Sequence, residues 1–178
     1  MKKYDQALAF ATKAHNGQTR KNSSQPYIEH PIRVAGILKD AHFREEVVIA
    51  ALLHDVVEDC PVTIEEIKET FGKDVATIVA YHTENKALSW EERKQHTIEV
   101  VQTAPLEVKA LIVADKLDNL QSLIQQYDKL GEKVWTAFKR GKKEQAWYNK
   151  SVVEAIKDIE DAPEFFKVYQ KLVEQFFN

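Results

Sequence analysis

Val47-Val48-Ile49-Ala50-Ala51-Leu52-Leu53-His54-Asp55-Val56-Val57-Glu58-Asp59 decides the fold and localises the chemistry. Seven apolar residues in a row precede His54. A helix built from them has no polar face and must be buried on most sides. A buried carboxylate without a partner is very costly, so Asp55 requires a counter-charge or a metal ion. In one continuous helix from Arg44 to Val57 and just beyond, Glu58 follows His54 by four residues and Asp59 follows Asp55 by four. That spacing puts the four polar groups on adjoining parts of one face. Taken alone, His54-Asp55 reads more readily as a satisfied structural pair.

A second stretch changes that balance. Val108-Lys109-Ala110-Leu111-Ile112-Val113-Ala114-Asp115 again carries a carboxylate into an apolar helix, with Asn119 one turn further on the same face. Two buried carboxylates on separate helices repel unless something positive lies between them. A divalent cation meets that need. Lys116 is a rival counter-charge, displaced by about a quarter turn. The third piece is Pro26-Tyr27-Ile28-Glu29-His30-Pro31, where His30 falls at a helix start. Two imidazoles and two carboxylates form a mixed N/O donor set suited to Mn²⁺, Fe²⁺, Zn²⁺ or similar ions. On a six-coordinate ion, four protein donors leave two places for water or a phosphate oxygen.

The rest of the chain is helical in pattern. Apolar residues recur at three- and four-residue spacing, and β-type alternation is hard to find. Helices are expected over Lys3–His15, His30–Asp40 and Arg44–Val57. Capping boxes at Thr63/Glu66 and Ser89/Glu92 open two more. Gly72 ends the first of these and Asp74 begins another helix. Pro105 opens a long helix to about Leu130, a further one runs from Lys143 to Ile159, and Pro163 starts the last. The expected architecture is an all-α, compact multi-helix bundle forming one domain over residues 1–178. No repeat, low-complexity tract or long linker divides it.

The composition narrows the function classes. Apolar residues make up 44% of the 178, enough for a core, and the formal net charge of −3 does not fit a general nucleic-acid binder. No nucleic-acid polymer is expected as partner. The longest apolar run is too short to span a membrane, which takes about 20 residues. The one cysteine, Cys60, excludes an intramolecular disulfide and points to a reducing, cytoplasmic setting. No base for Cys60 is visible in its neighbourhood of the sequence.

The order H…HD…D resembles the HD superfamily of metal-dependent phosphohydrolases. The finer pattern is Arg20-Lys21 before Pro26-Tyr27-Ile28-Glu29-His30-Pro31, then His54-Asp55-Val56-Val57-Glu58-Asp59, then Ala114-Asp115-Lys116-Leu117-Asp118-Asn119-Leu120. It resembles the guanosine tetraphosphate (ppGpp) hydrolase domain of the Rel/Spo enzymes and their stand-alone small alarmone hydrolase relatives, over about Tyr4 to Asp128. The resemblance implies that His30, His54, Asp55 and Asp115 are ligands of one divalent metal, Mn²⁺ first, with Fe²⁺, Zn²⁺ and Mg²⁺ as alternatives. It implies that Glu58 and Asp59 handle the water and the surroundings of the scissile phosphate. Arg20 or Lys21 would contact the nucleotide, and Asn119 the nucleotide or a ligand. The implied activity is removal of the 3′-pyrophosphate from (p)ppGpp. The alternatives are an HD hydrolase of another nucleotide phosphate, or a metal-bound nucleotide sensor without turnover. The sequence departs from the pattern at His82-Thr83-Glu84-Asn85-Lys86, where the family usually has a Val-Thr-Lys type motif, and after Tyr127.

A polyanionic substrate needs cations beyond the metal. Lys86, Arg93 and the Lys139–Lys143 cluster are candidates, with surface charge the plainer reading for Arg93 and for the cluster. His15 and His42 have no visible partners and read as surface groups. The apolar last helix either packs on the domain or forms a homodimer interface.

Overall fold

A computed structural model of the protein describes residues 2–178. The apolar run becomes the central helix α3, Glu45–Leu53, in which Val47 to Leu53 are all buried. Around it lie α1 (Lys2–Ala14), α2 (Glu29–Asp40), α6 (Lys73–His82) and α8 (Leu106–Leu130), each in contact with α3. A helix apolar on every side can be satisfied only by such enclosure. The remaining helices are α4 (Val56–Asp59), α5 (Ile64–Phe71), α7 (Trp90–Thr103), α9 (Lys142–Ile156) and α10 (Glu164–Phe176). A 3-10 turn, Gly131–Ala137, joins α8 to the loop before α9. No strand is formed among the described residues, only one isolated bridge between Thr19 and Pro26.

The predicted punctuation is present. Thr63 with Glu66 and Ser89 with Glu92 form full capping boxes on α5 and α7. Gly72 has φ 100°, which lets one residue end α5 and begin α6. Pro105 and Pro163 sit just before α8 and α10. The last helix buries Phe165, Phe166, Tyr169 and Val173 and packs on α8 and α9, so its apolar face serves the bundle.

Two expectations are corrected. The helix expected from Arg44 to Val57 breaks at His54-Asp55, giving α3 and α4. The cause is local. The ring N–H of His54 Nδ1 donates to the Ala51 carbonyl at 2.6 Å, the acceptor that a continuing helix would offer to the Asp55 amide. Secondly, His15 is not a surface group: it is 2% exposed and packs against Tyr27, with Gln18 Oε1 2.9 Å from its Nδ1. Its Nδ1 also lies 3.5 Å from Cys60 Sγ. His42 is exposed as expected.

Candidate metal centre and active site

The start of α2, the α3–α4 break and the middle of α8 bring His30, His54, Asp55 and Asp115 together. One ligand-capable atom from each lies within 4.8 Å of all the others, and all four residues are buried. His30 Nε2 is 2.8 Å from Asp115 Oδ1, and His54 Nε2 is 2.9 Å from Asp55 Oδ2 and 3.3 Å from Asp115 Oδ1.

The other ring nitrogens are committed. His30 Nδ1 lies 2.6 Å from Asp118 Oδ2, and Arg33 Nε donates to Asp118 Oδ1 at 2.7 Å. His54 Nδ1 donates to Ala51 O. Without a metal, burial is outweighed by the charges of Asp55 and Asp115, which raise the His54 pKa well above its ordinary value. A neutral imidazole donates through one nitrogen only, so with the outer nitrogens committed both Nε2 lone pairs are free to ligate a cation, which then takes the place of that proton between the carboxylates. His54 Nε2, fully buried, has no hydrogen-bond partner. The donor set therefore fits a divalent metal, in the arrangement where an outer carboxylate fixes the tautomer of a ligating histidine. Asp118→Asn should weaken metal affinity roughly tenfold while leaving the four donors in place, because the outer partner loses its charge. Metal-buffered titration would measure it; unchanged affinity would remove Asp118 from this role.

Further acids crowd the same spot. Carboxylate oxygens of Asp55, Glu58 and Asp59 lie within 4.8 Å of one another. Burial, then the charges of Asp55, Glu84 and Asp59, push the Glu58 carboxyl up to about 7. Its Oε1 accepts from the Glu84 amide at 3.3 Å. The exposed Asp59 accepts from Lys86 at 3.1 Å. Tyr27 donates its hydroxyl to Asp55 Oδ2, and burial with Asp55's charge holds that phenol far above its ordinary pKa. It stays a donor at any working pH.

This cluster forms one wall of a cavity of about 710 Å³. Four cationic side chains line the same cavity, Arg20, Lys21, Lys94 and Lys116, together with Asn119. Arg20 Nη2 donates to Asn119 Oδ1 at 2.9 Å, and Asn119 Nδ2 donates to Asp115 Oδ1 at 3.2 Å. Arg20 thus reaches toward the metal cluster, whereas Lys21 stands over Phe138 at 4.6 Å. Both basic residues line the cavity.

A family model described as HD domain matches residues 7–144, more than half of the chain. The chain belongs to the HD domain family. The guanosine-3′,5′-bis(diphosphate) 3′-pyrophosphohydrolase MESH1 of Drosophila melanogaster is 40% identical over 124 residues, covering 68% of this chain and 69% of that protein. The bifunctional (p)ppGpp synthase/hydrolase SpoT of Escherichia coli K12 is 35% identical over 129 residues, covering 69% of this chain but 18% of SpoT. Among solved structures, lmo0812 from Listeria monocytogenes EGD-e is 51% identical with a TM-score of 0.80, over 88% of this chain and 100% of that one. A metazoan ortholog of SpoT, described as hydrolyzing ppGpp and playing a role in starvation responses, is 30% identical with a TM-score of 0.81. That match covers 99% of this chain and 96% of the ortholog.

In this HD chain the four expected metal residues, Glu58, Asp59, Arg20, Lys21 and Asn119 gather at one cavity. Lys86 and Arg93 do not line it: Lys86 holds Asp59 from outside, and Arg93 pairs with Glu84 at 3.2 Å. One position on, Lys94 faces inward and bonds Glu84 Oε1 at 2.7 Å. Arg140 of the basic cluster pairs with Glu91 on the surface. Sequence reading missed His82, whose ring packs edge-on against His54 at 4.7 Å with Nε2 3.7 Å from Asp115 Oδ2. Burial, then the neighbouring His54, lower its pKa to about 4. The departure from the family motif at His82 was the available signal. Lys116 is the other contributor: its ammonium bonds Asp115 Oδ2 at 3.1 Å, so it supplements a metal at Asp115.

Proposed function

We propose that the protein hydrolyses the 3′-diphosphate of (p)ppGpp, using one divalent ion, Mn²⁺, held by His30, His54, Asp55 and Asp115. The observation that carries this reading is the convergence of two buried imidazoles and two carboxylates on a cavity that Arg20, Lys21, Lys94 and Lys116 also line. The relatives named as guanosine-3′,5′-bis(diphosphate) 3′-pyrophosphohydrolases supply the choice of nucleotide. A mixed N/O donor set suits Mn²⁺. The bound ion would lower the pKa of a water and polarise a phosphoryl oxygen. Glu58 takes the proton of the attacking water, and Asp59 steers it. Arg20, positioned by Asn119, grips the diphosphate with parallel hydrogen bonds. Residues 1–178 act as one unit, and the unpaired Cys60 fits work in the cytoplasm. No helix among the described residues is long and apolar enough to cross a membrane.

The test is product analysis with Mn²⁺ over a nucleotide panel. Inorganic pyrophosphate with GDP or GTP is expected from (p)ppGpp. Single phosphates from a mononucleotide, with (p)ppGpp untouched, would move the assignment to another HD hydrolase; binding without turnover would make the protein a sensor. Arg20→Ala is expected to raise KM for (p)ppGpp about tenfold and to lower kcat less, since a guanidinium grip on phosphate acts in the bound ground state as well.

A further inference from the structure

Helix periodicity carries His82 into the site. On α6 it continues the stripe of Val75, Ile78 and Val79, all buried, so its ring turns inward at the helix end. The side chain is 10% exposed and lines the cavity. The two oxygens of Asp115 have different neighbours. Oδ1 meets His30, His54 and Asn119. Oδ2 meets the Lys116 ammonium at 3.1 Å and stands 3.7 Å from His82 Nε2, too far for a hydrogen bond. The other ring nitrogen of His82, Nδ1, is buried without a partner among the described residues. Burial, then the neighbouring His54, keeps the imidazole neutral, so it carries one N–H. On Nδ1 that N–H would be buried with no acceptor, which is costly. On Nε2 it faces a carboxylate and the cavity. The ring thus offers the cavity a donor that no protein group uses, beside the four metal residues.

We propose that His82 is a further catalytic residue, whose Nε2–H donates a hydrogen bond to an oxygen of the scissile phosphoryl group. The inference rests on the phosphohydrolase reading. Charge is spread over the phosphoryl oxygens in the transition state, and a donor already aimed at one of them stabilises it without reorganisation. The aim is fixed by packing, since the His82 ring stands edge-on to His54 at 4.7 Å and 87°. The lone pair of His82 is on the buried Nδ1, so the ring does not compete with Glu58 for the proton of the attacking water. His82 lies in the segment where the sequence departs from the family pattern. The donor is therefore an addition to the set that holds the metal.

The experiment joins two variants to a spectrum. His82→Leu removes the donor and keeps an apolar group in its place; His82→Gln can return an N–H to the position of Nε2. With Mn²⁺ and (p)ppGpp, His82→Leu should lower kcat about 10²-fold, the loss usual for one such donor. Its KM and its Mn²⁺ affinity in a metal-buffered titration should change little, because the bond counts in the transition state. His82→Gln should recover most of the rate. Unchanged kcat in His82→Leu overturns the proposal, and equal losses in both variants would mark a packing role and overturn it too. Loss of Mn²⁺ affinity along with the rate would make His82 a fifth metal donor instead. Nitrogen-15 NMR of the unmodified protein loaded with Zn²⁺, which is diamagnetic, needs no variant and decides if His82→Leu fails to fold. It should find the His82 proton on Nε2; a proton on Nδ1 overturns the donor. Should the unmodified protein hydrolyse no nucleotide, the proposed function falls, and inorganic phosphate added to the same NMR sample decides the donor. A shift of the His82 Nε2 resonance supports it, and an unmoved resonance overturns it.

Discussion

His54→Ala is expected to strip the protein of metal and activity together. Elemental analysis should fall from about one divalent ion per chain to near zero, and turnover by several orders of magnitude, because water at neutral pH is a poor nucleophile without an ion to acidify it. The geometry makes His54 the most sensitive member of the four. Its Nε2 is the donor with short approaches to both carboxylates, and its Nδ1 bond to Ala51 is what ends α3 and turns Asp55 into the site. Removing the ring deletes a donor and also the device that aims Asp55. The bundle should survive, since the enclosing contacts of α3 come from Val47 to Leu53. Circular dichroism should therefore remain helical. A His54→Ala protein that kept a stoichiometric ion at normal affinity would place the metal elsewhere and sink the four-donor assignment.

The contrast between that centre and its outer parts explains what could be read in the sequence. Long apolar runs ending in His54-Asp55 and Asp115 force two helices into the core, and burial forces their carboxylates toward a cation; both are properties of local sequence. Capping boxes and glycine or proline punctuation are equally local. The partners that complete the site are not. Asp118 meets His30 across 88 residues of chain, and Arg20 meets Asn119 across 99. The break at His54 depends on a ring nitrogen outcompeting an amide for one carbonyl, which helical periodicity does not encode. Arg93 and Lys94 differ by about 100° around α7, so a helix placed without its neighbours does not tell which cation faces the cavity. His15 directly follows α1 and His82 closes α6, as ordinary helix-end histidines do; it is the packing of Tyr27 on the first and of His54 on the second that takes them off the surface.

Glu58→Gln should separate binding from chemistry. The metal should stay, because Glu58 lies outside the group formed by His30, His54, Asp55 and Asp115. Turnover should drop by about 10²–10⁴-fold, the usual contribution of a positioned acid–base group. The pH profile carries the stronger distinction. Burial and the acids around Glu58 raise its carboxyl to about 7, where proton uptake and release are both accessible at neutral pH. A nearby divalent ion favours the ionised form and draws that value down. Accepting a proton requires the carboxylate, so activity must fall as pH drops through the Glu58 pKa. The unmodified protein should therefore lose kcat/KM on the acid side with unit slope and a midpoint at or below about 7, and Glu58→Gln should lose that limb along with its rate. Asp59 offers the internal comparison: it is exposed and paired with Lys86, so Asp59→Asn should lower the rate less and keep the limb. Full activity in Glu58→Gln, or an acid limb that persists there and vanishes in Asp59→Asn, would transfer the proton to Asp59.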